Sequence, residues 1–121
     1  MLNLKKLLIK MLGRVGSEMT YTTALNGITG GLRLWKDHST GTVRCYGYFR
    51  RATNISDGTV IFTVPSGFSP PSNYDVPMFL YTSSGVNAGF YGTLHTNGNM
   101  YQNLGATIRE GYVSAEWTCE E

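Results

Sequence analysis

Trp35 to Phe49, WKDHSTGTVRCYGYF, is the stretch whose reading decides the fold. It has the pattern of a β-hairpin. Gly31 to Asp37 forms a first arm, Thr42 to Arg50 a second, and His38-Ser39-Thr40-Gly41 the turn between them. Gly41 is suited to that turn because it takes a positive φ without a Cβ penalty. The second arm alternates with period two. Val43, Cys45, Gly47 and Phe49 point one way, and Arg44, Tyr46, Tyr48 and Arg50 the other. One face can lie on a core, and the opposite face is aromatic and cationic and can stay wet.

Reading outward toward the C-terminus, the same short-strand grammar continues. Met19 to Leu25, Thr59 to Val64, Asp75 to Ser83, Ala88 to Thr96 and Asn99 to Leu104 are further strand candidates, and Gly105 to Arg109 and Gly111 to Cys119 close the domain. Arg50 to Gly58 reads as a loop closed by the Asp57-Gly58 pair, and Thr59 to Val64 is apolar enough for an interior strand. Pro77 places its strand at an edge or makes it a strand start, since proline has no N–H for a ladder. Gly89 and Gly92 suggest a bulge or a close backbone approach. Asn97-Gly98 predicts a type I′ hairpin turn. The segment from Pro65 to Tyr74, PSGFSPPSNY, is too rich in proline to pair and should wrap the body as a loop, tacked down by Phe68 and Tyr74. In the last strand Tyr112, Ser114, Glu116 and Thr118 oppose Val113, Ala115, Trp117 and Cys119. About eight short strands separated by turn residues predict an all-β, antiparallel sandwich or jelly-roll-like domain over residues 17–121.

Composition agrees. The chain of 121 residues has 15 Gly and 8 Tyr but only 15% charged residues. That mix suits strands and tight turns better than a helical bundle. The net charge of +2 is unevenly placed. Four of the ten cations, Lys5, Lys6, Lys10 and Arg14, lie in the first fourteen residues, which hold no acid. The remaining six face all eight acids, so the body is slightly acidic and lacks the broad basic field of a nucleic-acid binder.

Residues 1–16 read differently, as an amphipathic α-helical arm. Leu4, Leu7, Leu8, Met11 and Val15 fall at spacings of three and four and make one apolar stripe. Lys6, Lys10 and Arg14 repeat every four residues on another side, and Gly13 and Gly16 stop the pattern. Lys10 interrupts the run a signal peptide needs, and the arm is shorter than a membrane span. Three placements remain: a helix-to-helix seam that gathers several copies of the chain or a helix docked on a partner surface, which we prefer, contact of residues 2–15 with an anionic membrane, or a frayed leader.

No catalytic constellation emerges. His38 and His95 belong to no metal or triad motif, and no pair of carboxylates is singled out for glycoside hydrolysis. There is no phosphate loop, EF-hand or Cys/His ligand spacing, so neither a metal nor a cofactor is expected. Cys45 and Cys119 read as two small buried thiols, with a disulfide left open. The chemistry lies instead in aromatic side chains that can cover the C–H faces of sugar rings while polar groups bond their hydroxyl rims. The candidate ligand residues are Arg44, Tyr46, Tyr48, Tyr81, Tyr91 and Tyr101. Trp35 and Trp117 are assigned to the core.

Arg33, Trp35, Lys36, Gly41, Thr42, Cys45, Tyr46 and Gly47 spell basic–x–Trp–basic, a polar turn, then Gly–Thr–x–x–Cys–aromatic–Gly. Downstream come the run Thr63-Val64-Pro65-Ser66-Gly67-Phe68-Ser69-Pro70-Pro71-Ser72 and a strand ending in Thr96-Asn97-Gly98-Asn99. Over roughly residues 31–119 this pattern resembles the C-terminal, knob-like domain of tail fibre and minor structural proteins from phages and prophages of Gram-positive bacteria. The resemblance implies a virion tail protein without enzymatic activity. It implies a homotrimer, made in the host cytoplasm, that contacts other tail proteins and a host cell-surface saccharide. The chain lacks a long shaft, which leaves a stand-alone virion protein and a detached module both open, the arm serving as a miniature stalk. Two other readings stay in view: a bacterial lectin-like carbohydrate-binding module tethered by the basic helix, and a glycan-cleaving enzyme with its site between subunits.

Overall fold

The computed structural model describes residues 17–102 and 107–119. The arm assigned to residues 1–16, and with it the stripe of Leu4, Leu7, Leu8, Met11 and Val15, lies outside the described residues. Within them the regular elements are eight strands: β1 (Ser17–Thr23), β2 (Thr29–Asp37), β3 (Thr42–Ile55), β4 (Val60–Thr63), β5 (Tyr74–Tyr81), β6 (Asn87–Leu94), β7 (Asn99–Gln102) and β8 (Ile108–Thr118). All pairings are antiparallel, in the order β1-β2-β3-β8-β5-β6-β7-β4.

The class is therefore all-β and antiparallel as expected, but the layering is not a sandwich. There is one eight-stranded sheet, curled until its two ends meet. The Leu25 N–H donates to the Ile61 carbonyl at 2.9 Å and Asn26 Nδ2 to the Val60 carbonyl at 2.8 Å, so the β1–β2 turn closes on β4. Register shifts between Arg50 and Ile55, between Val60 and Phe62, and between Pro77 and Tyr81 supply the bends that a single sheet needs to curl this far. Period-two patterning looks the same in a sandwich and in a barrel, and only the strand order separates them.

The central hairpin forms as read. Asp37 pairs with Thr42, the Gly41 N–H donates to the Asp37 carbonyl at 2.8 Å, and Gly41 has φ 75°. Inside the barrel Leu32, Leu34, Val43, Phe49, Phe62, Val76, Met78, Leu80, Met100 and Val113 are fully buried, with Phe49 and Phe62 edge to face at 6.0 Å. Gly111 exists for this core: a Cβ there would lie 2.4 Å from the Phe49 ring. Gly92 shows the close approach anticipated, with the Tyr101 carbonyl 2.5 Å from where its Cβ would be. The proline-rich segment does cap one barrel mouth. Phe68 is buried, and its carbonyl accepts from Trp117 Nε1 at 2.7 Å, while the Gly67 carbonyl accepts from Lys36 Nζ at 2.9 Å.

Several local expectations are corrected. β3 runs on through Arg51 and Ala52 to Ile55, because the bulge lets it rejoin β8 at Ile108 instead of ending as a loop. β4 stands at the end of the sheet order, where the β1–β2 turn covers it. β5 is interior, between β8 and β6, despite Pro77. The Asn97-Gly98 turn is not type I′, since Asn97 has no positive φ. The bonds His95 N–H to Asn99 O and Gly98 N–H to His95 O, both 2.9 Å, make it a type I turn with Gly98 (φ 94°) as a bulge. The type I′ geometry falls instead at Asn26 (φ 58°) and Gly27 (φ 73°).

Candidate functional site

The outer face of the barrel is built by the same alternation that builds the core. Aligned registers make cross-strand rows. One row is Trp35 on β2, Arg44 on β3 and Glu116 on β8; the next is Arg33, Tyr46 and Ser114. Then come Gly31, Tyr48, Tyr112 and, on β5, Phe79, followed by Thr29, Arg50, Glu110 and Tyr81. From Arg44 to Arg50 this track runs about 20 Å along the strand.

Its centre is aromatic. Tyr48 and Tyr112 have ring centroids 5.0 Å apart, and Tyr81 meets Tyr112 edge-on at 6.3 Å. Phe79 and Phe90 extend the patch at 6.1 Å. Tyr46, at 60% exposure, and Phe90, at 65%, are among the most exposed large rings. Desolvation among these rings, and then the Glu110 carboxylate, push the Tyr112 phenol above its ordinary value.

Below the rings lies an open trough of about 1270 Å³, lined by Trp35, Arg44, Tyr46, Tyr74, Pro77 and Glu116 among others. Its origin is local. The β5–β8 ladder stops at Met78 paired with Val113, one residue after Pro77, which has no N–H to continue it. The two strands part there, and Tyr74 fills the gap, donating its hydroxyl to the Glu116 carbonyl at 2.8 Å. The hairpin turn forms the far wall. Asp37 Oδ1 accepts from the Ser39 N–H at 2.9 Å and the Ser39 hydroxyl at 2.7 Å, which hold its carboxyl below the usual range. The trough thus combines ring faces, a guanidinium and fixed acceptors, the equipment for holding a polyhydroxylated molecule.

The structure brings Arg44, Tyr46, Tyr48 and Tyr81 onto one track. Tyr91 sits opposite Pro77 on β6 at the margin of that track. Tyr101 does not join: it lies on β7, four strands round from β3, with its hydroxyl on His95 Nε2. His38 pairs instead with Glu18, Nε2 to Oε2 at 3.2 Å. Trp117 is core, but Trp35 is a correction. The alternation Leu32-Arg33-Leu34-Trp35-Lys36 turns Trp35 outward with Arg33 and sends Lys36 inward, where it is 8% exposed. Tyr112 is among the tyrosines the sequence offers for an exposed aromatic face but not among the six candidate ligand residues, and Phe79 and Phe90 are in neither group. The period of β8 already set Tyr112 on the wet side, whereas Phe79 and Phe90 depend on a pairing that no local signal encodes.

Cys45 and Cys119 are both free and buried. Burial pushes the Cys45 thiol up to about 12, which makes it inert, while Cys119 donates to the Gly41 carbonyl at 3.3 Å and ties β8 to the hairpin turn. Among the described residues no group of three or more His, Cys, Asp or Glu side chains could hold a metal ion. Comparison with protein-family models, with curated proteins and with solved structures finds no match for this chain.

Proposed function

We propose that this chain is a non-enzymatic, tail-associated structural protein of a phage or prophage, and that its β-barrel is a host-surface saccharide-binding knob assembled as a homo-oligomer. The observation that carries saccharide binding is the track of Tyr46, Tyr48, Tyr112 and Tyr81, continuous with a trough holding Trp35, Arg44 and Glu116. Half-buried Tyr48 and Tyr81 in contact with exposed Tyr112, with exposed Tyr46 beside them and hydrogen-bonding groups at the border, suit a ligand with apolar faces and a polar rim. Soluble chains seldom leave such a patch bare unless it serves binding. The assignment to a phage tail rests on the resemblance of the hairpin and the proline-rich loop. The non-enzymatic part of this reading rests on the same resemblance. Binding of the full chain to purified host cell-wall polysaccharide, with product analysis of the polysaccharide afterwards, tests both halves. Retention without cleavage is expected; cleavage products would overturn the non-enzymatic reading.

The basic stripe of the arm favours a second reading, a bacterial lectin-like module tethered through Lys5, Lys6 and Lys10. Loss of binding to anionic liposomes in a variant with all three changed to Glu would favour it, and indifference would remove it.

A further inference from the structure

At the end of the track opposite the trough, a small groove of about 260 Å³ is lined by Arg50, Arg51, Arg109 and Glu110 with Tyr81, Thr82 and Ser83. Three elements meet there: the bulged stretch of β3, the start of β8 and the β5–β6 turn. Three guanidiniums against one carboxylate make it locally cationic in a body that is slightly acidic overall. The trough end carries the reverse balance, with Asp37 and Glu116 against Arg44.

The arginines are placed, not merely near one another. Arg51 donates to the carbonyls of Asn26, at 2.8 Å, and of Thr53 and Asn54, so it anchors the bulge and contributes fixed charge. Arg109 donates through Nε to Asn54 Oδ1 at 2.9 Å, which sets its plane and leaves its terminal nitrogens for a ligand. Arg50 stands outward, in register with Glu110 and so in the same row as Tyr81. Tyr81 is shared with the aromatic track through its contact with Tyr112.

We infer that this groove is an oxyanion subsite. It takes a carboxylate or phosphate substituent on the saccharide whose rings lie over Tyr48, Tyr112 and Tyr81, and it orients an acidic chain with that substituent away from Asp37 and Glu116. Arg50 and Arg109 supply the charge-assisted bonds, with the Ser83 hydroxyl beside them, while the Thr82 hydroxyl holds the turn through the Val86 N–H at 3.3 Å and the Ser84 hydroxyl at 3.1 Å. The inference deepens the saccharide-binding reading and rests on it for the identity of the ligand, but not for the anion chemistry of the groove.

The test is an NMR titration of the full chain with sodium acetate, sodium phosphate and sodium chloride at constant ionic strength. It follows the Arg50 and Arg109 Nε–H signals and the amides of Thr82 and Ser83. Saturable shifts with acetate or phosphate beyond those with chloride are expected, and whichever ion acts identifies the substituent as carboxylate or phosphate. The R50Q/R109Q variant should bind that ion about tenfold more weakly at an unchanged melting temperature. Shifts no larger than those with chloride, or equal binding by the variant, would overturn the subsite. Because the probes are free ions, the groove can bind them even if no saccharide touches the tyrosines. Conversely, a neutral glycan can bind the tyrosines with the groove silent, so the two failures are told apart.

Discussion

The inner and outer faces of β3 and β8 are cut from the same two strands yet follow opposite rules. Inward, Phe49 faces Gly111, Val113 faces Gly47 and Trp117 faces Val43, so the larger group of each pair has a smaller one opposite it, while Cys45 and Ala115 are both small. Outward, Tyr48 faces Tyr112, Tyr46 faces Ser114, and Arg44 and Arg50 face Glu116 and Glu110, so rings, a hydroxyl and opposite charges stand side by side. The first arrangement fills volume; the second leaves surface available. The lesson is that in a one-sheet barrel the wet face comes from the same alternation as the core, and the parity of a substitution decides whether it acts on stability or on the surface.

Substitutions of opposite parity break or sharpen that contrast. The largest effect is expected from Phe49→Ala, which empties the centre of the core and should cost about 3–5 kcal/mol by denaturant unfolding. A loss below about 1 kcal/mol would mean the core is not centred there. Cys45 gives the next effect, through pH. Its thiol titrates near 9.0 when unfolded and at about 12 when folded. Between those values the unfolded chain has released a proton that the folded chain keeps. Stability therefore falls as pH rises above about 9, by at most about 1.4 kcal/mol per pH unit from this group. Unfolding of Cys45→Ala across pH 8 to 11 should show a correspondingly shallower decline, and an identical slope would contradict the burial of the thiol.

The two tryptophans then separate the faces directly. Trp117→Phe removes the Nε1 bond to the Phe68 carbonyl inside the barrel mouth and should cost about 2 kcal/mol. Trp35→Phe and Tyr46→Ala, on the wet side, should stay within about 0.5 kcal/mol of the parent chain while weakening saccharide binding. If Trp35→Phe cost more than Trp117→Phe, the assignment of parity on β2 would be inverted.

Much of this was legible in the sequence because it is local. The turn at His38 to Gly41 and the two faces of β3 and β8 follow from spacing, as does the proline-rich cap held by Phe68. Trp35 stands outward against the core assignment, and the signal is local: Leu32 and Leu34 two positions apart point the intervening Arg33 and the following Trp35 the other way. What could not be read is non-local. The choice of one curled sheet over two layers depends on β8 inserting between β3 and β5. The trough depends on where Pro77 ends the β5–β8 ladder, and the cationic groove on a bulge that carries Arg51 back toward the β1–β2 turn. Tyr101 shares its residue type with the track but sits four strands away, which composition cannot reveal.

The most direct test of the account is glycan-array binding by the full chain beside the Tyr48→Ala/Tyr112→Ala variant, with melting temperatures measured on the same samples. The account predicts that the parent chain retains at least one class of bacterial surface glycan. The variant should lose that signal by about tenfold or more, while its melting temperature stays within a few degrees of the parent's. Equal retention by both chains, or no glycan bound by the parent, would contradict it.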